Sequence, residues 1–248
     1  MGICMGNTDR TNGSILVNGR ALDYVVERRS IRHPRLEFRS DRLLVILPKK
    51  WGDAAALLEE KRRWIAKKHA EITAAVAKLK TGANGMKSLP IFGELFEIQE
   101  GSSLVVDTKN RLIQFDPGDE NHRGRLELIL RRMLLPVLQE AAETYAGKFG
   151  VRFNRITIRK QRTKWGSCST NGTLNFNLWL VCLPKEFICY LACHEVAHLK
   201  ESNHRRPFWG LVGQEFPNYR EMEKKLSGHW YFVHNCSRAV FPQGRSPF

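Results

Sequence analysis

The sequence predicts an α+β fold: a β-rich N-terminal part with a long helix, then a core of a small sheet, a histidine-bearing helix and a long backing helix. Three observations predict it. Between residues 15 and 115, short apolar–polar alternations recur between turn-forming pairs such as Asn18-Gly19, Gly101-Ser102 and Lys109-Asn110. Two long stretches, about 54–79 and 125–149, instead carry apolar residues at helical spacing. Near the C-terminus, residues 185–201 keep helical spacing again and hold His194-Glu195-Val196-Ala197-His198.

In order along the chain, residues 1–13 read as a flexible N-terminus. A strand over 15–17 and a second over 22–27 flank Asn18-Gly19, because that pair suits the positive φ of a tight hairpin. Leu36-Glu37-Phe38 and residues 43–47 read as two more strands, joined around Ser40-Asp41, the second stopped by Pro48. Asp53 is placed to cap a helix over 54–79, with Leu57, Trp64, Ile65, Ile72 and Val76 as its apolar stripe. Gly82-Ala83-Asn84-Gly85 breaks the pattern, and short strands are expected at 91–98, 104–107 and 111–115.

The polar stretch 116–124 contains Pro117 and two glycines and is the expected internal boundary. The helix over 125–149 ends at Gly150, and Pro136 inside it is expected to kink or divide it. Residues 155–159 and 173–181 alternate like strands, with Trp165-Gly166-Ser167-Cys168 as a turn between them. Pro184 suits the first turn of the helix that follows. Further helix is expected over 211–215, broken at Pro217, and over 221–226. The resulting division is 1–13, 14–118, 123–235 and a loose tail, 236–248, with no internal repeat detected.

The chain has 248 residues, enough to bury a sizeable core, and 42% of them are hydrophobic. No apolar run is long enough to cross a bilayer, and the first residues lack the apolar core of a signal peptide. Six cysteines form no C-x-x-C pair, which suits free thiols in a reducing, cytoplasmic compartment. A net charge of +15 draws polyanions, so nucleic acid is a possible partner although no nucleic-acid motif accompanies the charge.

His194 and His198 stand one helical turn apart, so both imidazoles leave one face. Two imidazoles so spaced can hold a tetrahedral metal ion, zinc above all. Glu195, beside the first of them, is placed to take a proton from metal-bound water. His204 would point elsewhere on a straight helix, so as third ligand it requires the chain to turn after Glu201. Ser202-Asn203 is expected to make that turn, with Asn203 left-handed. Glu201 stands where the metzincin pattern has Gly, and Met222 is weak support for a Met-turn, so that pattern is not assigned. Glu215 is the runner-up third ligand. Trp165, Trp209 and Cys193 read as packing residues.

Taken together, Trp165-Gly166-Ser167-Cys168, residues 173–181, His194-Glu195-Val196-Ala197-His198-Leu199, His204 and Phe208-Trp209 resemble the YgjP-like metallopeptidase family. The basic N-terminal strands and the segment around Trp64 also resemble it, so the likeness spans about residues 20–235. The resemblance implies a zincin-type core, with His194, His198 and His204 as zinc ligands and Glu195 as catalytic base. It also implies an alternative substrate, since a bacterial relative is assigned as a nucleoside triphosphate pyrophosphatase.

Three functions follow. The first is a zinc metallopeptidase, with a peptide adding to residues 173–181 as an exposed sheet edge and with His229, Tyr231 or His234 as candidate oxyanion partners. The second is a nucleotide pyrophosphatase, with Lys160, Arg162 and Lys164 neutralising phosphates. The third is a nucleic-acid-associated protease or binding protein, using the basic stretches 28–42 and 61–68.

Overall fold

Asn18 and Gly19 take φ values of 49° and 74°, the positive pair that a two-residue type I′ loop requires. In the computed structural model, which describes residues 10–39, 42–80, 88–161 and 164–240, this loop joins β1 (Arg10–Val17) to β2 (Arg20–Arg29). β1 therefore begins inside the segment expected to be flexible, with Arg10 to Gly13 paired to Glu27 to Tyr24. β3 (Arg35–Arg39) and β4 (Arg42–Pro48) complete a sheet of order β1-β2-β4-β3. β2 and β4 run parallel, and the other neighbours are antiparallel. Ser40-Asp41 lies outside the described residues.

The single helix expected over 54–79 is two, α1 (Ala54–Glu60) and α2 (Arg62–Lys80). Lys61 separates them at φ −93°, ψ 6°, and Asp53 takes the N-cap position without a side-chain capping bond. The Gly82-to-Gly85 breaker is outside the described residues. The chain divides into two compact units, Met1–Ala74 and Ala75–Phe248. The first buries Val17, Leu22, Val26, Leu43 to Leu47, Leu57, Leu58 and Ile65.

The strand arrangement of the first unit recurs in the second. β5 (Ser88–Ile91), β6 (Glu94–Glu100), β7 (Val105–Asp107) and β8 (Leu112–Phe115) form a sheet of order β5-β6-β8-β7. Its central pair is parallel and its outer pairs antiparallel, as in the first sheet. The strand expected over 91–98 is thus a hairpin, turning at Phe92 (φ 52°) and Gly93 (φ 88°). Tyr24 pairs with Leu43, and Ile98, equally far past its turn glycine, pairs with Ile113. This structural repeat escapes the sequence because little beyond the turn glycine and the alternation is shared.

α3 (Glu120–Phe149) starts inside the stretch expected to be a boundary, because Asp119 caps it: the carboxylate accepts from the N–H groups of Asn121 and His122. Pro136 lies within α3 and does not divide it, and Gly150, at φ 65°, ends it as expected. Leu126, Leu130, Leu134, Leu138 and Ala142 form its buried stripe. β9 (Arg155–Arg159), β10 (Gly166–Cys168) and β11 (Thr173–Asn177) form a third sheet of order β10-β11-β9. β11 pairs parallel with β9 and antiparallel with β10.

The strand expected over 173–181 stops early. Asn177 Oδ1 accepts from the Trp179 N–H at 3.2 Å and starts a buried 3₁₀ helix, Leu178–Cys182. β11 is the middle strand, so the edge expected there is absent and the edges of this sheet are β10 and β9. α4 (Lys185–Ala197), α5 (Arg206–Glu215) and α6 (Tyr219–Val240) complete the unit, and α6 runs into the segment expected to be tail. One hydrophobic cluster joins the second sheet, α3, β11, the 3₁₀ helix, α4, α5 and α6. No helix among the described residues is long and apolar enough to cross a membrane.

Candidate metal centre

Pro184 occupies the N-cap position of α4 at φ −52°, ψ 144°, rather than its first turn, and Glu186 lies in the first turn. The helix is apolar on almost every side: Phe187, Ile188, Tyr190, Leu191, Ala192, Cys193, Val196 and Ala197 are all buried. Such a helix cannot easily shift, so it fixes the Cα positions of His194, Glu195 and His198. Cys193 is wholly buried, the packing role expected of it.

α4 ends sooner than expected. His198 is its C-cap, still right-handed at φ −65°, and the chain tightens through Leu199 N–H to Val196 O and Lys200 N–H to Ala197 O. Among the described residues Asn203 has no positive φ, so the turn is not the left-handed one expected. Two aromatic residues deliver His204. The Trp209 indole N–H donates to the His204 carbonyl at 3.1 Å, and its ring stacks on Tyr219 at 4.7 Å. Phe208, fully buried, places its ring 4.9, 4.6 and 4.7 Å from the rings of His194, His198 and His204. Phe208 is thus the shared floor of the three imidazoles, a role that its place in the sequence does not announce.

The three histidines converge. One nitrogen from each lies within 4.8 Å of the others, and the Nε2 atoms of His194 and His204 are 3.0 Å apart. Tetrahedral zinc with ordinary Zn–N bonds separates its nitrogen ligands by about 3.4 Å, so the cluster has the right size. His198 Nδ1 lies 3.1 Å from the Glu201 carbonyl. A carbonyl only accepts, so Nδ1 carries the proton and Nε2 keeps its lone pair. Burial pushes the His194 pKa down to about 3, aided by its two histidine neighbours, and burial also lowers that of His198. Both rings are therefore neutral at neutral pH, the form that binds metal. Among the described residues, His194 Nδ1 is buried without a hydrogen-bond partner.

Glu195 is 5% exposed. Burial pushes its pKa up to about 8, while Lys164 and the Cys168 backbone N–H pull the other way. A divalent cation held nearby would favour the charged form further. The carboxylate lies against β10: a Cβ built on Gly166 would fall 2.7 Å from Glu195 Oε1.

Other candidates are elsewhere. Glu215 pairs with Lys148 and does not join the histidines. Met222 is buried within α6 and forms no turn. His229 packs on Phe187 at 4.9 Å, near the opposite end of α4 from the trio. The side chains of Tyr231 and His234 are outside the described residues, as is Arg162. Lys160 is held by Glu127 at 2.7 Å, and exposed Lys164 acts on Glu195. Trp165 packs edge-on against Trp230 at 4.6 Å, as a packing residue should. The basic stretches are partly neutralised within the first unit, where Arg29 pairs with Glu27, Lys61 with Glu60, Arg62 with Glu59 and Lys68 with Glu71.

An α+β chain whose three histidines converge beside a helix carrying a buried carboxylate has the build of a metal-dependent hydrolase. The family comparison agrees: the YgjP-like metallopeptidase domain matches over residues 32–229, and the chain belongs to that family of peptidase-type hydrolases. Two solved structures are similar over a smaller part. The crystal structure of the metallopeptidase zymogen of Pyrococcus abyssi abylysin is 26% identical, covering 36% of this chain and 90% of that one, with a TM-score of 0.34. The corresponding zymogen structure of Methanocaldococcus jannaschii jannalysin is 23% identical, covering 36% and 86%, with a TM-score of 0.33. No curated protein matches the chain.

Proposed function

We propose that this metallopeptidase is zinc-dependent, with His194, His198 and His204 as ligands and Glu195 as general base. The observation that carries the proposal is the convergence of three imidazole nitrogens within 4.8 Å. Zinc, when bound, supplies Lewis acidity, which polarises the scissile carbonyl and acidifies the attacking water. Glu195 accepts the proton of that water and returns it to the leaving amine nitrogen. The hydrogen bond from His198 Nδ1 to Glu201 keeps Nε2 turned toward the shared ligand position.

β10 offers the substrate its edge. Asn177 N–H bonds Trp165 O at 2.8 Å and Ser169 N–H bonds Thr173 O at 3.0 Å, so Gly166 and Cys168, out of phase with these, turn their main-chain groups away from β11. An extended peptide adds there through main-chain hydrogen bonds. Residues 123–235 carry this chemistry and 14–118 support it. The free thiols of Cys168, Cys189 and Cys193 support a reducing, cytoplasmic setting.

The test is metal content together with hydrolysis of a peptide library and of nucleoside triphosphates. Glu195→Gln is expected to keep stoichiometric zinc and lose peptide hydrolysis by about 10²–10⁴-fold. His204→Ala is expected to lower zinc content. Triphosphate hydrolysis without peptide cleavage overturns the substrate assignment, and zinc content indifferent to His204→Ala overturns the ligand set.

A further inference from the structure

We propose that Gly166 is the positioning residue of Glu195, its bare Cα forming the seat against which the carboxylate arm lies. This rests on Glu195 being the base, as proposed above. A Cβ at Gly166 would stand 2.7 Å from Glu195 Oε1, 2.9 Å from Cγ and 3.0 Å from Cδ. It would overlap the whole end of the arm. Gly166 is not among the glycines with positive φ, so the position demands space and not a glycine backbone.

The seat cannot retreat. Gly166 sits opposite Phe176 of β11. Its neighbour Ser167 presents its carbonyl to Asn175 Nδ2 at 3.2 Å, and Asn175 Oδ1 accepts from the Thr157 hydroxyl at 2.7 Å. Before Gly166, the buried side chain of Asn177 donates to the carbonyls of Gln161 and Lys164, each at 2.9 Å. On the other side, α4 is packed around Glu195 by fully buried Val196 and Ala197. The flexible partner is the Glu195 side chain, whose carboxylate lies close enough to the Cys168 backbone N–H to be influenced by it. A methyl group at residue 166 therefore displaces the carboxylate and leaves the fold in place.

The experiment compares wild type, Gly166→Ala, Glu195→Asp and the double variant. Gly166→Ala is expected to keep its zinc and its melting temperature and to change KM by less than about threefold, with kcat lower by about a hundredfold. In the zinc-free protein the amide resonance of Cys168 is expected to move, because the carboxylate near it is displaced. Asp withdraws the arm by one methylene, so in the Glu195→Asp background Gly166→Ala is expected to cost less than about threefold. Equal losses in the two backgrounds, or wild-type kcat with an unmoved Cys168 amide, overturn the proposal.

If Gly166→Ala does not fold, the Gly166→Ala/Glu195→Asp double variant decides the matter, because only the length of the arm has changed. A double variant that folds and keeps its zinc upholds the seat, and one that fails to fold like Gly166→Ala overturns it. Full hydrolysis by Glu195→Gln would instead remove the base assignment, and the Gly166 variants would still judge the seat.

Discussion

The two four-stranded sheets share strand order and pairing sense, yet they serve different ends. In the first, the turn glycine Gly19 has nothing among the described residues within 4 Å of the place a Cβ would take, and Asn18 donates to the Ala66 carbonyl of α2 at 3.3 Å. In the second, the Phe92 N–H bonds Val181 O of the 3₁₀ helix at 2.7 Å. Gly93 lies against Pro184, the N-cap of α4, with Pro184 Cγ 3.2 Å from the place of a Cβ. The first sheet closes a core of its own with α1 and α2. The second buttresses the start of the helix that carries His194, Glu195 and His198. One topology thus acts as a domain core in one place and as a bracket for chemistry in another, and the bracket is made at its hairpin turn.

The largest expected effect tests that contrast in the cores. Leu43 and Ile113 hold equivalent positions, both fully buried. Leu43→Ala and Ile113→Ala are each expected to cost about 2–5 kcal/mol. Hydrogen exchange separates them: Ile113→Ala is expected to open amides of α3 and α4, because Ile113 belongs to their hydrophobic cluster. Leu43→Ala is expected to open β1 to β4. If Leu43→Ala exposes α4 as much as Ile113→Ala does, the second sheet has no special tie to the histidine helix.

A smaller effect comes from the two turns. Gly19→Ala forces a left-handed alanine, which costs about 1–2 kcal/mol. Gly93→Ala carries the same strain and also presses a methyl group on Pro184. Its denaturant midpoint is expected to fall further than that of Gly19→Ala, with zinc affinity falling as the start of α4 shifts. Equal midpoints and unchanged zinc affinity would show that Pro184 yields and that the bracket is loose.

These turns also show what the sequence makes legible. Asn18-Gly19 is readable because both residues tolerate positive φ, whereas Phe92 is a bulky residue held there by its surroundings. The histidine trio is readable because two ligands share a helical face, and the third could be expected from spacing alone. How His204 arrives is not readable: Phe208 and Trp209 deliver it through ring contacts and a carbonyl bond that no local propensity encodes. The early end of β11 is hidden in the same way, because apolar alternation continues through Leu178 and Leu180 while Asn177 caps a 3₁₀ turn. Gly166 looks like an ordinary turn glycine until Glu195 is placed beside it.

The smallest expected effect compares the helices that follow the two sheets. On α3, Glu127 holds Arg131 and Lys160, each at 2.7 Å, and Arg131 also donates to the Ile158 carbonyl of β9. On α2, exposed Glu71 pairs with Lys68 at 3.0 Å. Glu127→Gln is expected to cost about 1 kcal/mol and Glu71→Gln no more than about 0.5 kcal/mol. Burial raises the Glu127 pKa, but its hydrogen bonds to Lys160 and Arg131 outweigh that and hold it below the usual carboxylate range. A lowered folded value means that Glu127 adds stability above its unfolded pKa and loses it as pH falls through the folded one. The stability gap between wild type and Glu127→Gln is therefore expected to be full at pH 7 and to narrow below about pH 4. Urea titrations at the two pH values measure it, and a gap unchanged in acid would show that the charge on Glu127 does not tie α3 to β9.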